Sequence, residues 1–280
     1  MSDETPYSHS WVTDRLDLKL GGQAISLHYA RRPGTGPTLV CLHGFGSTKE
    51  DYADLALRPD FRDRDLVCWD APGCGASTLQ DPTALSIPFL KEVALSACAQ
   101  LGIERFHLLG HSMGGLTGLL LAHQHPERVL SFFDIEGNLA PEDCFLSRQI
   151  LDHPEDTPED FMRNFQARVK QRPEFGCALY ATTLPLKVGA TSVKPIFSSM
   201  VEISDSQPLL QMMAGLTCPK AFLFGTQNRH LSYLSQLPCI GVDVIEIPSS
   251  GHFPMYSNAP ELWSALSAFL ERAEQSRDTA

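Results

Sequence analysis

The chain has 280 residues, 43% of them hydrophobic and 20% charged, an ordinary balance for a globular protein with core enough for one large domain or two smaller ones. Its formal charge of -11 argues against a nucleic-acid-binding surface and against adsorption to anionic membranes, because both need a basic face. No apolar run approaches the roughly 20 residues of a membrane span, and the acidic, polar start Met1-Ser2-Asp3-Glu4 carries no basic leader.

In chain order, residues 13–30 alternate apolar and polar around Gly21-Gly22 (Leu16, Leu18, Leu20, then Ile25, Leu27, Tyr29), which predicts a hairpin with a tight turn. Pro37 to Leu42 is a continuous apolar run, a central strand that leads into His43-Gly44-Phe45-Gly46. Asp65 to Trp69 is another, ending in Asp70-Ala71-Pro72-Gly73-Cys74-Gly75. Apolar residues at helical spacing run from Ile87 to Leu101, and Phe106 to Leu109 then reads as a buried strand. Next come Gly110-His111-Ser112-Met113-Gly114 and an apolar helix closed by His125-Pro126, followed by a strand from Val129 to Ile135 and by Glu136-Gly137-Asn138. Residues 139–217 change character: charged and proline-containing pieces alternate with amphipathic helices such as Phe161 to Val169 and Ile196 to Ile203, and no central strand is evident. Strands resume at Lys220 to Phe224 and at Val242 to Ile247, the second leading into Ser250-Gly251-His252. A last amphipathic helix spans about Pro260 to Arg272, and the residues from Glu274 on read as a frayed tail. The eight cysteines form no CxxC pair, and Cys41 and Cys68 sit inside apolar runs, so buried free thiols of a reducing, cytoplasmic setting are expected rather than a disulfide framework or zinc site.

Strands alternating with helices imply a mainly parallel sheet covered on both faces, with chemistry at the carboxyl ends of the strands. The stretch around Ser112 is strand, sharp turn, helix with a serine at the apex. Small residues must flank that serine, because the turn is strained and the helix passes close to the strand. Such an elbow lifts the hydroxyl clear of the sheet and sets the Met113 N–H at a helix N-terminus, where it can help bind an oxyanion. A serine hydroxyl needs a base, and of the ten histidines only His252 follows a last strand in a glycine-rich loop. His43 and His111 belong to turns, His123 and His125 end a helix, and His107 lies within a strand. His107 and His111, four apart on a strand and turn, do not aim at one metal. There is no GxxxxGK[ST], no HExxH and no cofactor box, and Asp70-x-x-Gly73-x-Gly75 reads as a structural turn rather than a nucleotide loop.

His43-Gly44-Phe45-Gly46, Asp70-x-x-Gly73-x-Gly75-x-Ser77, Gly110-His111-Ser112-Met113-Gly114 and Ser250-Gly251-His252 together resemble the α/β-hydrolase superfamily, in its capped form, over almost the whole chain. The resemblance implies an α/β-hydrolase core of residues 1–138 and 218–280 with a helical cap over 139–217. It implies attack by Ser112 on an acyl carbonyl, His252 as base, and an oxyanion hole from the backbone N–H groups of Phe45 and Met113. Most members place an aspartate after the strand that follows the cap, where this chain has Asn228; a neutral amide orients an imidazole but does not stabilise imidazolium as a carboxylate does. Some members take the acid from the end of the strand before the cap, and there this chain has Glu136, with Asp134 two residues earlier on the same face. Glu136 is the leading candidate acid; Asp134 and Asn228 are the alternatives.

The expected function is therefore hydrolysis of a carboxylic ester or thioester of a small to medium, partly hydrophobic small-molecule substrate, without cofactor or metal. Candidates to line an apolar pocket include Phe161, Phe165, Phe175, Leu179, Tyr180, Phe197, Met200, Leu209, Met212 and Met213, most of which would pack the cap itself. A lyase, a carbon–carbon bond hydrolase or an acyltransferase on the same fold stays open, as does a non-catalytic ligand-binding member, and contact between Glu136 and His252 discriminates the last. A homodimer is compatible with the sequence.

Overall fold

The alternation at the start of the chain builds a hairpin of β1 (Val12–Leu20) and β2 (Gln23–Arg32) in the computed structural model, which describes residues 11–278. The residues read as lacking a leader lie outside that range, as do Thr279 and Ala280 of the tail. Gly21 and Gly22 both take positive φ, 54° and 79°, as a two-residue hairpin turn requires. The continuous apolar runs become buried strands, β3 (Thr38–Leu42) and β4 (Leu66–Trp69). A two-residue β5 (Thr78–Leu79) has no periodicity to announce it and is held by pairing with β2. Helix α1 (Ile87–Gln100) starts at Ser86, whose side chain accepts from the Phe89 N–H, with Pro88 in the first turn. Then come β6 (Phe106–His111), α2 (Met113–Gln124) and β7 (Val129–Ile135).

Between β7 and β8 the chain forms α3 (Gln149–Asp152), α4 (Pro158–Lys170), α5 (Cys177–Lys187), α6 (Val193–Ser206) and α7 (Leu209–Gly215). The only extended pairing there among the described residues is an isolated bridge from Val188 to Cys74. Backbone bonds stitch the same place: the Gly75 N–H donates to the Lys187 carbonyl at 2.7 Å, and the Gly189 N–H to the Gly73 carbonyl at 3.3 Å. The Lys187 ammonium adds bonds to Asp51 at 2.9 Å and to the Tyr256 hydroxyl at 3.0 Å. After this segment come β8 (Lys220–Gly225), β9 (Asp243–Ile247), α8 (Pro254–Ser257) and α9 (Ala259–Asp278).

The strands form one sheet in the order β1-β2-β4-β3-β6-β7-β8-β9, with β5 on β2. From β4 through β9 neighbouring strands run parallel, and β1 and β2 are antiparallel additions at one edge. Period-two alternation sends consecutive apolar residues to opposite faces. Val40, Leu108, Phe132 and Phe222 join the core shared with α1, α2 and the helical segment, whereas Leu39, Leu109, Phe133 and Leu223 pack against Trp263, Leu266 and Phe269 of α9. Each such side chain contributes roughly 1.5–3 kcal/mol by leaving water. Helix α9 corrects one expectation. It runs on through Glu274, because the Arg64 guanidinium donates to that carboxylate at 2.6 and 3.1 Å and the buried His107 ring lies 3.2 Å from it. The anchor is tertiary and invisible to local periodicity. No helix among the described residues is long and apolar enough to cross a membrane.

From β3 the chain moves to β4 on one side and then crosses back to β6 on the other. The carboxyl ends of β3 and β6 thus flank a topological switch point, where an open α/β sheet leaves a crevice.

Candidate active site

Ser112 follows β6 with φ 51° and ψ -116°, a conformation L-residues rarely adopt and one that costs of order 1–3 kcal/mol. Its N–H donates to the Ile135 carbonyl at 3.0 Å, pinning the turn to β7, and its carbonyl accepts from the Leu116 N–H at 2.9 Å, opening α2. The flanking glycines are dictated by distance. A Cβ on Gly110 would lie 2.4 Å from the Gly114 oxygen, and one on Gly114 would lie 2.1 Å from the Leu42 oxygen. The Met113 N–H belongs to the first turn of α2, where a helix leaves its donors without intrahelical partners at the positive end of its dipole.

After β3 the chain turns sharply at Gly46, φ 79°. His43 fixes this turn: Nδ1 donates to the Gly44 carbonyl at 2.8 Å, and Nε2 accepts from the Ala71 N–H at 2.8 Å. That pairing demands the neutral ring, and burial lowers its pKa accordingly. The Phe45 ring is buried, its centroid 4.5 Å from that of Phe197, while its amide stays in the turn beside the elbow. Asp70 accepts from the Lys49 N–H, the Lys49 ammonium and the Ala76 N–H at 2.8–3.0 Å, consistent with a structural turn.

Glu136 ends β7 in a second strained turn, φ 46°, with its N–H donating to the Leu223 carbonyl at 3.0 Å. Its buried carboxylate gathers three donors: His252 Nδ1 at 2.7 Å and Asn228 Nδ2 at 2.6 Å on Oε2, and the Gly225 N–H at 2.8 Å on Oε1. Burial by itself would raise its pKa; the His252 ring first, then the amide donors, more than offset this and hold the carboxyl below its ordinary value. A carboxylate at Nδ1 sets the tautomer, leaving Nε2 bare to accept a proton. The main chain at His252 is held in turn by His111, whose Nε2 donates to the His252 carbonyl at 2.8 Å. Burial and the adjacent His252 ring push the His111 pKa down to about 3, so it is a neutral spacer.

The three candidate acids therefore separate. Asn228 bonds to Glu136. Asp134 is fully buried, accepts from the Gly137 N–H at 2.9 Å, and leaves Oδ2 without a hydrogen-bond partner; burial pushes its pKa well above the carboxylate range. The sequence places both candidates near the strand ends, but that Asn228 would donate to Glu136 across 92 residues has no local signature.

Ser112 and His252 line one small cavity of about 20 Å³ with Phe45, Tyr180, Phe197 and Met200. Of the other apolar candidates, Phe161, Phe165, Leu209, Met212 and Met213 are buried inside the helical segment, and Phe175 and Leu179 are about half exposed. Phe145 and Leu146 also line this cavity, and nothing in the sequence singles them out; they come after a one-turn helix at Pro141–Cys144 too short to carry a periodic pattern. A second cavity of about 170 Å³ lies on the Glu136 and Asn228 side of His252. Among the described residues no cluster of three or more His, Cys, Asp or Glu side chains is placed to hold a metal ion.

A family model for the α/β-hydrolase fold matches residues 37–175. The pimeloyl-[acyl-carrier protein] methyl ester esterase of Aeromonas hydrophila subsp. hydrophila is 39% identical over 119 residues, 42% of this chain and 42% of that protein, so the likeness spans well under two thirds of that relative. Among solved structures, a membrane phospholipase A described as a bacterial virulence factor superposes with a TM-score of 0.70 at 25% identity, covering 94% of this chain and 87% of that one. A carboxylesterase structure from the thaumarchaeon Nitrososphaera gargenis superposes with a TM-score of 0.74 over 93% of this chain and 100% of its own, and at 14% identity it shares the fold.

Proposed function

Since the chain belongs to the α/β-hydrolase superfamily, we propose that it is a serine hydrolase cleaving a carboxylic ester or thioester of a small to medium, partly hydrophobic molecule through an acyl-enzyme on Ser112. The observation that carries this reading is the 2.7 Å contact between Glu136 and His252 Nδ1, beside a serine on a strained elbow. A ligand-binding relative has no need of a carboxylate on that ring.

In the proposed reaction His252 Nε2 takes the Ser112 proton as Oγ attacks the acyl carbon, and the carbonyl π pair moves to oxygen. The N–H groups of Phe45 and Met113 receive that oxyanion, a role worth about 2.7–4 kcal/mol per donor where it has been tested in other hydrolases. As the tetrahedral adduct collapses, the carbon–oxygen or carbon–sulfur bond breaks and His252 returns the proton to the leaving group. Water repeats the sequence: His252 removes its proton, the hydroxyl adds to the acyl carbon, and Ser112 leaves with the proton restored. Throughout, Glu136 stays ionised and supports the imidazolium, its negative charge held in place by the Asn228 amide and the Gly225 N–H. Residues 139–217 act as the cap, and residues 1–138 with 218–280 as the core that carries these groups.

Incubation with a fluorophosphonate and location of the adduct by mass spectrometry tests the proposal. The expected result is a single adduct on Ser112, absent in Ser112→Ala and formed much more slowly in Glu136→Gln. Intact, folded protein that takes up no label would refute an activated serine and favour a ligand-binding role.

A further inference from the structure

Three side chains face both the cavity at Ser112 and the larger one beyond: Asp143, Phe145 and His252. Two of them are fastened. His252 is held by Glu136, and Asp143 accepts from the Tyr233 hydroxyl at 2.8 Å and from the Leu139 and Ala140 N–H groups at 2.7 and 2.8 Å. Phe145 has no such tie on its side chain. Its half-buried ring stands edge-on to His252, centroids 5.0 Å apart, with the Arg172 guanidinium 5.3 Å from its centre. A phenyl ring so held turns about two side-chain torsions without breaking a hydrogen bond.

The sizes of the two spaces make that freedom matter. About 20 Å³ at Ser112 holds roughly one water and no ester, whereas the neighbouring cavity has about 170 Å³ and opens to solvent past the exposed Glu142 and His230. Taking Ser112 as the nucleophile, as proposed above, we infer that the larger cavity is an outer substrate subsite and that Phe145 is the movable partition between it and the serine. Displacing this one ring merges the two spaces, so its bulk sets how large a group reaches Ser112.

The lining also selects by charge. Glu136, Glu142 and Asp143 face the outer space, while Arg172 and Glu174 there offset each other, with Nε 3.2 Å from Oε2. Carboxylates gathered around a partly enclosed space repel another anion and accept a neutral or cationic group. The substrate class is thus an ester or thioester with a small apolar part among Phe45, Tyr180, Phe197 and Met200 and a polar, uncharged or cationic part in the outer subsite.

The native protein, Phe145→Ala and the milder Phe145→Leu would be assayed on p-nitrophenyl acetate, butyrate and octanoate, with fluorophosphonate labelling of Ser112 in parallel. Native protein and Glu142→Gln would also be assayed on esters of matched length ending in a hydroxyl, a trimethylammonium or a carboxylate. We expect Phe145→Ala to raise kcat/KM for octanoate relative to acetate by about 10-fold or more, with Phe145→Leu intermediate. We expect native protein to prefer the cationic to the anionic ester by about 10-fold, and Glu142→Gln to narrow that ratio. Labelled Ser112 with an unchanged chain-length profile in both Phe145 variants overturns the partition. Labelled Ser112 with the carboxylate ester turned over as fast as the cationic one overturns the charge selection. Absence of label in native and variant proteins alike overturns the nucleophile reading and, with it, the subsite built upon it.

Discussion

The ends of β6 and β7 are neighbours built to the same plan. Each terminates in a non-glycine residue at positive φ, Ser112 at 51° and Glu136 at 46°, and each pins that residue by its N–H to the next strand, at Ile135 and at Leu223. Beyond those two residues the chain takes different courses. Ser112 runs straight into α2, so close packing of helix on strand forces glycine at 110 and 114 and writes the turn into the sequence. Glu136 leads into the helical segment, and its surroundings are supplied by His252, Asn228 and Gly225 from far along the chain. A turn defined by its own backbone leaves a motif; a turn defined by distant donors does not.

That contrast can be broken at the carboxylate. Glu136→Gln keeps the shape of the second turn but removes the charge and offers His252 the wrong partner, so kcat should fall about 10³–10⁴-fold with little change in KM in steady-state assays. A carboxylate returned from the opposite side should repair it. Glu136→Gln combined with Asn228→Asp, which places an acid on the group now 2.6 Å from Oε2, should recover at least about 10-fold of the lost kcat. No recovery would mean that only the β7 turn can present an acid to this ring. Asn228→Ala alone removes one donor to a charged oxygen, and kcat should drop by about 10-fold, the scale of a single charge-assisted hydrogen bond.

The smallest effects sharpen the comparison inside β7, where two carboxyl groups respond to pH with opposite sign. The folded pKa of Glu136 lies below its ordinary 4.5, so its stabilising contribution is present above that value and fades as pH falls through the lower folded one. Asp134 is raised well above 3.8, so its contribution is complete below that value and is lost as pH rises toward the folded pKa. In thermal melts Glu136→Gln should therefore be less stable than the parent above pH 4.5, the ordinary value of that carboxyl, and converge with it as pH falls below that value, whereas Asp134→Asn should gain on the parent as pH rises above 3.8. Parallel curves for the two variants would contradict these opposite environments.

Much of this was legible in the amino acids because burial on both faces writes continuous apolar strands, and because Gly110, Gly114 and Gly44 stand where a Cβ would collide with a neighbour. Glu136 could be singled out as a carboxylate at a strand end and, through the family resemblance, as the partner expected for His252, 116 residues away, although nothing local to either residue encodes that bond. Three features escaped for physical reasons. Strand β5 is two residues long and exists only through its partner; α5 carries Pro185 and a threonine pair that weaken a helical pattern; and α9 extends past Arg272 because Arg64 and His107 hold Glu274. Phe145 belongs with these, an aromatic in a short irregular stretch whose importance lies in the two spaces on either side of it.

The backbone stitching of residues 187–189 to residues 73–75 has a mechanical consequence. Bonds from main chain to main chain, backed by Lys187 on Asp51 and Tyr256, make that end of α5 the stiff edge of the helical segment. Other ties between the segment and the core run through side chains: the Phe175 N–H donates to Gln227 Oε1 at 2.8 Å, and Asp143 accepts from the Tyr233 hydroxyl at 2.8 Å. At the seam, main-chain bonds hold α5 where Tyr180 and Leu184 crowd Gly46, so close that a Cβ there would lie 2.4 and 2.7 Å from them, and the turn that carries Phe45 is braced from the side of the helical segment.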